Sequence, residues 1–383
     1  MAFLRNDAIN RVNIHTGIQS LAMGAGGIFF LVFLIRGGVP VPAALTAQAA
    51  ILAGRFVMRP VILPLSKRWG LKPLVVIGTL GISLQYPLLA EIDGVGAKLF
   101  ALCAVAAIAE IFYWPSYNAY FSALGDAEHR GHQVSAREAL VAVVNIVAPL
   151  LGTWALITLG PRSMFAAVGV VQALAALPLL GVPNVQVPPA APGAFRAARL
   201  GAVLAATDGW FDAWYILIWQ IALYVSLGES VSAYGGAMAL AALIGAGFGL
   251  FLGRHVDAGH GRRAALLACG VAGIALTLRA ASLASPWLAV TANALGAIVF
   301  PLLLPVLATA VYNLAKASPC PMRFSIATEA GWDIGCASAC LIAAALYAAG
   351  VPPAVGMLLA LPVLLAAALL LRRHFARLAA LTR

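Results

Sequence analysis

The chain has 383 residues, of which 63% are apolar and only 10% charged, and its mean hydropathy is +0.96. Soluble domains carry about 45–50% apolar and about 25% charged residues, so this composition excludes one. The formal net charge of +11 invites a nucleic-acid reading, which the distribution of the charges removes.

A membrane-spanning helix needs about 20 apolar residues. Twelve such segments are predicted, at 12–35, 42–65, 72–92, 97–124, 135–159, 163–182, 200–227, 231–254, 264–281, 285–316, 323–349 and 353–376. Met1–Arg11 is polar and leads straight into a full-length span, so no cleavable signal is expected. The first span carries His15 and Gln19 one turn apart. Histidine exchanges a proton near neutral pH, and it serves equally as a structural polar residue.

The second span places Gln48, Arg55 and Arg59 on one face. An arginine keeps its charge, so Arg55 requires an acid or an anionic substrate; Arg59, nearer the surface, has the option of snorkelling. The fourth span shows Glu110, Tyr113, Tyr117 and Tyr120 at a 3-4-3 spacing, with Trp114 and Asn118 beside them. An aromatic stripe reads as packing, but a mid-membrane carboxylate with phenol hydroxyls also suits a wet cavity.

The stretch 183–199, with Pro183, Pro188, Pro189, Pro192, Arg196 and Arg199, is non-periodic and reads as a linker between two apolar blocks. On the seventh span, Asp208, Asp212, Tyr215 and Trp219 follow a 4-3-4 spacing, which is one face of an α-helix. Asp212 falls near mid-membrane, about 18 Å from the helix start at 1.5 Å per residue. The tenth span offers Asn293 and is otherwise apolar, and its length implies a tilt or a break near Pro301 and Pro305. The eleventh carries Ser325, Glu329, Asp333, Cys336 and Cys340 in a stripe. Two acids one turn apart repel, and a proton on one relieves the repulsion. Pairing with arginines is the alternative.

Membrane acids cost about 2.5–3.5 kcal/mol each on insertion scales and need a partner or a wet cavity. By this reading the second half of the chain holds four such acids and no membrane base. The five cysteines lack metal-ligand spacing and read as small apolar fillers. No metal or cofactor is expected.

Of the 24 Lys and Arg residues, 18 fall in the termini and alternate loops, and only Arg36, Lys98, Arg162 and Arg279 sit at the other side. This asymmetry is the positive-inside pattern and predicts both termini in the cytoplasm. The basic charge is then a topology signal, with contacts to anionic membrane lipids and none to nucleic acid.

The two apolar blocks repeat. Glu110-Ile-Phe-Tyr-Trp-Pro115-Ser-Tyr has a counterpart in Phe300-Pro-Leu-Leu-Leu-Pro305, and each is followed by a polar loop and then a glutamate, Glu138 or Glu329. The loop after the second span reads Leu63-Pro-Leu-Ser-Lys67-Arg68-Trp-Gly70-Leu-Lys72, and its repeat reads Gly253-Arg-His-Val-Asp257-Ala-Gly-His-Gly261-Arg262-Arg263. The fifth span contains Ala148-Pro149-Leu-Leu-Gly152.

With these features the chain resembles the major facilitator superfamily along nearly its whole length. Arg68, Gly70 and Lys72 match that family's Gly-x-x-x-Asp-Arg-x-Gly-Arg-Lys loop, although Lys67 replaces the acid. Asp257, Gly261 and Arg262 match in the second copy, with one residue extra. Pro149 and Gly152 are similar to the motif associated with antiporters. The resemblance implies an all-α polytopic fold of twelve transmembrane helices in two pseudosymmetric bundles, 1–182 and 200–383, joined by a cytoplasmic linker, 183–199. It also implies a path lined by the first, fourth, seventh and tenth helices, where His15, Gln19, Glu110, Tyr113, Tyr117, Asp208, Asp212 and Trp219 map.

The expected function is secondary active transport of a small amphipathic or partly cationic organic molecule by alternating access, with protons as coupling partner and export as direction. Asp212, Glu110 and Arg55 are the central candidates, with Asp208, Glu329 and Asp333 in support. A monomer in a bacterial inner membrane is expected. Proton-coupled nutrient uptake and lipid flipping are the alternatives within transport. A polytopic membrane transferase is the alternative outside it, as is a non-transporting receptor. The short loops offer a transferase only Asp126, Glu128, His129, His132, Asp257 and His260. No Gly-Lys-Ser/Thr phosphate loop is present for nucleotide-driven pumping.

Overall fold

The structure is a computed structural model that describes residues 6–125, 130–253 and 261–381. Among the described residues it is helical with no strand. Eleven helices are long and apolar enough to cross a membrane: α1 (Asp7–Arg36), α2 (Val41–Trp69), α3 (Leu71–Ala90), α4 (Ala97–Leu124), α5 (Arg130–Thr158), α6 (Gly160–Leu180), α8 (Val231–Gly253), α9 (Gly261–Ser282), α10 (Pro286–Lys316), α11 (Pro321–Ala348) and α12 (Pro353–Leu378). The expected seventh span, α7 over 199–226, differs. It runs as α-helix over Arg199–Asp212, as π-helix over Ala213–Ile218 and again as α-helix over Trp219–Ser226. A regular helix of spanning length is thus replaced by one interrupted at its centre.

These helices turn large apolar side chains outward, as membrane helices do. Trp287, Val57 and Phe100 stand outward with exposures of 83%, 74% and 68%. Tyr113, Trp214, Tyr215 and Trp219 are buried. The break in α10 falls at Ala297–Ile298, before Pro301 and Pro305. Pro301 is then the third residue of the second segment, Val299–Lys316, where its missing N–H has no intrahelical partner to lose.

One face of the bundle gathers helix ends around the linker. Asn6 Nδ2 donates to Leu124 O (3.2 Å), and Tyr120 OH to Pro183 O (2.6 Å). Asn184 Nδ2 donates to Trp69 O (2.8 Å), while Asn184 Oδ1 accepts from Lys72 N (3.1 Å). Arg323 at the start of α11 donates to Pro188 O (3.2 Å) and Pro189 O (3.0 Å). The linker is therefore fastened first to α2–α4 and then to α11.

Three close approaches fix α11. Gly331 and Gly335 lie against the carbonyls of Ala202 and Ala206 of α7, and Gly209 lies against that of Trp332; a Cβ at any of the three would collide with backbone. Small residues four apart let helix backbones approach in this way. On its other side α11 packs against α2 and α4.

Candidate functional site

Four charged residues reach the same depth. Arg55 is the fifteenth residue of the 29-residue α2, and Glu110 the fourteenth of the 28-residue α4. Asp333 is the thirteenth of the 28-residue α11, and Asp212 the fourteenth in α7. At 1.5 Å per residue each sits about 20 Å from its helix start, in the middle of a hydrocarbon layer about 30 Å thick.

Arg55 is 3% exposed and holds three carboxylates. Its Nη1 lies 2.9 Å from Glu110 Oε2, and its Nη2 lies 3.1 Å from Glu329 Oε2 and 2.9 Å from Asp333 Oδ1. The Asp333 Oδ1 contact is an ion pair and not a hydrogen bond. Arg59, one turn away, pairs through Nη2 with Asp333 Oδ2 and donates from Nη1 to Ile326 O (3.2 Å). Asn118 Nδ2 donates to the second oxygen of Glu329 (2.8 Å). Two guanidiniums from α2 thus face one carboxylate from α4 and two from α11. In an interior of low dielectric such pairs persist only when geometry and hydrogen bonds satisfy the remaining polar atoms. Asp333 is sealed, whereas the side chains of Glu110 and Glu329 remain 21% and 18% exposed.

Arg59 is buried and paired and does not snorkel.

The acids of α7 stand apart from this cluster. Asp212 Oδ2 accepts from Trp332 Nε1 (3.2 Å). Asp208 lies within electrostatic reach of Asp212 and Glu329. Neither acid has a cationic partner within 4 Å among the described residues. Trp332 links the two groups, since its ring also lies 5.7 Å from the Arg55 guanidinium. Sequence reading missed Trp332; its place three residues after Glu329, on the same helix flank, was the available signal.

The remaining candidates are enclosed within their own half of the chain. Among the described residues the partners of His15 are uncharged. Its Nδ1 is 2.7 Å from Ala175 O and its Nε2 2.9 Å from Tyr113 OH, which also bonds Gln19 Oε1. The Tyr117 hydroxyl lies 2.6 Å from Thr16 Oγ1, and its ring stacks on that of Tyr113. Tyr215 OH donates to Gly296 O (2.8 Å) and Trp219 Nε1 to Asn293 Oδ1 (2.8 Å). Tyr215 and Trp219 therefore face α9 and α10 while Asp212 faces α11, so the expected single face of α7 is split. The π-helical stretch Ala213–Ile218, which contains Tyr215 and separates Asp212 from Trp219, shifts the helical phase along this helix.

Arg279 corrects the expectation that the second half has no membrane base. Placed in sequence among the charges at the far side, it instead folds inward and is 5% exposed. The apolar surroundings are tolerated because its guanidinium lies over the rings of Tyr215 (3.8 Å) and Trp219 (4.8 Å).

The repeat-related glutamates also part ways. Glu329 binds Arg55, whereas among the described residues Glu138 pairs with its neighbour Arg137 (2.7 Å). Of the motif loops, Arg68 is exposed and Gly70 adopts φ +81° against Asn184, so Gly70 and the Lys72 N–H anchor the linker. Gly261 opens α9 and Arg262 is exposed. Asp257 lies outside the described residues, as do Asp126, Glu128, His129 and His260; nothing is described of the His132 side chain. Gly152 packs against Ala25 of α1, and Ala148 against Gly24.

Comparison with known proteins agrees with this architecture. The model of the Major Facilitator Superfamily matches residues 17–218, more than half of the chain. No curated protein matches it in sequence. The human organic anion transporter MFSD10 (TETRAN) superimposes with a TM-score of 0.70 at 15% identity, over 95% of this chain and 99% of that one. A point mutant of the nucleoside transporter NupG gives 0.68 at 12%, over 96% and 100%. The POT family transporter PepTSo gives 0.67 at 12%, over 97% and 98%. At these identities the likeness is one of fold. An all-helical chain with membrane-spanning helices, charged residues converging at mid-depth and this family match is an integral membrane protein. It belongs to the Major Facilitator Superfamily and is a transporter of that family.

Proposed function

We propose that the protein is a proton-coupled secondary active transporter that exports a small amphipathic or partly cationic organic molecule by alternating access. In this reading, bundles 1–182 and 200–383 rock about the central charges, with 183–199 as the tether. Both termini lie in the cytoplasm, and the protein works as a monomeric antiporter in a bacterial inner membrane. The observation that carries the reading is a charge excess. Five carboxylates, Glu110, Asp208, Asp212, Glu329 and Asp333, stand against two guanidiniums, Arg55 and Arg59, and the two acids on α7 have no cationic partner among the described residues. An uncompensated negative site at mid-membrane takes up positive charge, either protons or a cationic group of the cargo.

The geometry supports a role for each member. Asp212, beside Trp332, is the principal proton carrier, with Glu110 the second. Glu329 is reachable and is shared between Arg55 and Asn118, so a positive charge arriving there competes with Arg55 for one carboxylate. Weakening that contact loosens α2 from α11, which is the movement that alternating access requires. The Trp332 ring and the exposed faces of Glu110 and Glu329 offer a flat amphipathic cation both stacking and charge.

The test is transport of ethidium, an amphipathic cation, in proteoliposomes under an imposed pH gradient. Asp212→Asn keeps the shape and removes the proton. It is expected to abolish gradient-driven accumulation and to retain exchange between equal pools. Normal accumulation by the asparagine variant overturns the assignment of Asp212. Absence of ethidium movement by the unaltered protein under either gradient polarity overturns the cationic-cargo reading.

A further inference from the structure

The π-helical turn of α7 needs a physical cause. π-Helical turns are rare and appear mostly as single insertions within α-helices, frequently at functional sites. Nothing in Ala213-Trp-Tyr-Ile-Leu-Ile218 is a glycine or proline that would break a helix locally. The cause is tertiary. Arg279 reaches in from α9 and its Nη1 donates to the backbone carbonyl of Tyr215 (2.5 Å), inside the turn. The guanidinium lies over the Tyr215 ring at 3.8 Å and the Trp219 ring at 4.8 Å. It has no carboxylate partner within 4 Å among the described residues.

The same rings are tied on their far edges. Tyr215 OH donates to Gly296 O, and Trp219 Nε1 to Asn293 Oδ1, whose Nδ2 donates in turn to Ala237 O of α8 (2.9 Å). Gly296 has room for no side chain, because a Cβ there would meet Arg279 and the Tyr215 hydroxyl. The outer half of α7 is thus fixed to α8, α9 and α10, while its inner half is fixed to α11 by the close approaches at Gly209, Gly331 and Gly335. The inserted residue reconciles the two attachments.

We propose that Arg279 is a positioning residue: by holding the Tyr215 carbonyl it maintains the π-turn, and the π-turn sets the direction in which Asp208 and Asp212 face. Without the insertion, the two halves of α7 would be turned by about 100° relative to one another, the angle per residue of an α-helix. The acids would then face away from Trp332, or Tyr215 and Trp219 would leave Asn293 and Gly296. The functional weight of this arrangement rests on the role proposed above for the α7 acids, while the clamp itself is testable without it.

Three variants in purified detergent-solubilised protein separate the claims: Arg279→Ala, Arg279→Lys, and Arg279→Ala with Ile216 deleted. Amide hydrogen exchange over 213–218 reads the turn, and labelling of Asp208 and Asp212 by dicyclohexylcarbodiimide, mapped by mass spectrometry, reads where the acids face. Arg279→Ala is expected to speed exchange at least tenfold. Arg279→Lys, which keeps the charge over the rings, should give an intermediate value even where the alanine variant unfolds. Deleting Ile216 removes the inserted residue and should restore slow exchange, since a regular helix needs no clamp. Carbodiimide labelling of the deletion variant should nevertheless stay at least fivefold below that of the unaltered protein. Unchanged exchange in both single variants overturns the clamp. Full labelling in the deletion variant, or none in the unaltered protein, overturns the positioning role. Neither readout requires transport, so failure of the proton reading shows separately in the Asp212→Asn assay.

Discussion

Two seams join the first half of the chain to the second, and they use opposite chemistry. Where α2 and α4 meet α11, the contact is ionic: Arg55 and Arg59 against Glu329 and Asp333, with Glu110 and Asn118 in attendance. Where α1 and α5 meet α8, it is neutral. Tyr234 OH donates to Ile28 O (2.9 Å), its ring lies 5.7 Å from that of Phe29, and Gly235 abuts Thr153. A neutral close-packed seam is held by shape and responds to bulk. An ionic seam is held by charge and responds to protons or cations. A transporter that couples cargo to a charge needs one contact of the second kind, and a seam of the first kind answers it mechanically.

The largest effect is expected at the ionic seam. Arg55→Ala leaves Glu110 and Glu329 with no cation within 4 Å among the described residues, and Asp333 with Arg59 alone. Breaking a buried ion pair costs about 3–5 kcal/mol, so thermal unfolding in detergent should show a marked loss of stability, and ethidium transport should fall more than tenfold. Arg55→Lys keeps the charge but cannot span three acceptors, so partial recovery is expected. An alanine variant with native stability and transport would reduce this seam to a passive contact.

The neutral seam is next. Gly235→Leu forces a side chain into Thr153, and overpacking of this kind costs about 1–3 kcal/mol. Because the collision lies between α5 and α8, spin-label distances across these helices should lengthen while those between α2 and α11 stay within error. Equal lengthening at both seams would mean that they do not act separately.

Removing one neutral hydrogen bond is smaller still. Tyr234→Phe frees the Ile28 carbonyl and should cost about 1 kcal/mol, visible as a shift of a few degrees in melting. The smallest effect belongs to an exposed pair on the far side, Arg162 with Glu91 (2.7 Å, side chains 80% and 43% exposed). Surface pairs contribute about 0–1 kcal/mol and are screened by salt. Glu91→Gln should leave stability and transport unchanged, and so should added salt at the buried ionic seam. A strong salt dependence of the α2–α11 distance would show that screening ions reach past Glu110 and Glu329 to the buried Arg59–Asp333 pair.

The membrane class, eleven of the twelve span positions and the need of Arg55 for a negatively charged partner were legible in the residues themselves. Composition, run length and the cost of a buried charge are local quantities that survive without tertiary information. Which acid Arg55 takes was not legible, because Glu110, Glu329 and Asp333 are separated from it by 55, 274 and 278 positions. The inward fold of Arg279 was hidden for a related reason. Its sequence position marks a loop end, and the buried site is made hospitable by the rings of Tyr215 and Trp219 and the Tyr215 carbonyl, which only the fold brings to it.

The sequence by itself determined that this is a helical membrane protein with charges it must reconcile, since hydrophobic length and charge count depend on nothing beyond the chain. Tertiary structure alone decided how they are reconciled. Glycines let α11 approach α7 where Trp332 meets Asp212, and a guanidinium from α9 bonds a carbonyl of the π-helical turn, where one expected face becomes two. Such outcomes arise from the meeting of several helices, and no periodicity within one of them carries that information.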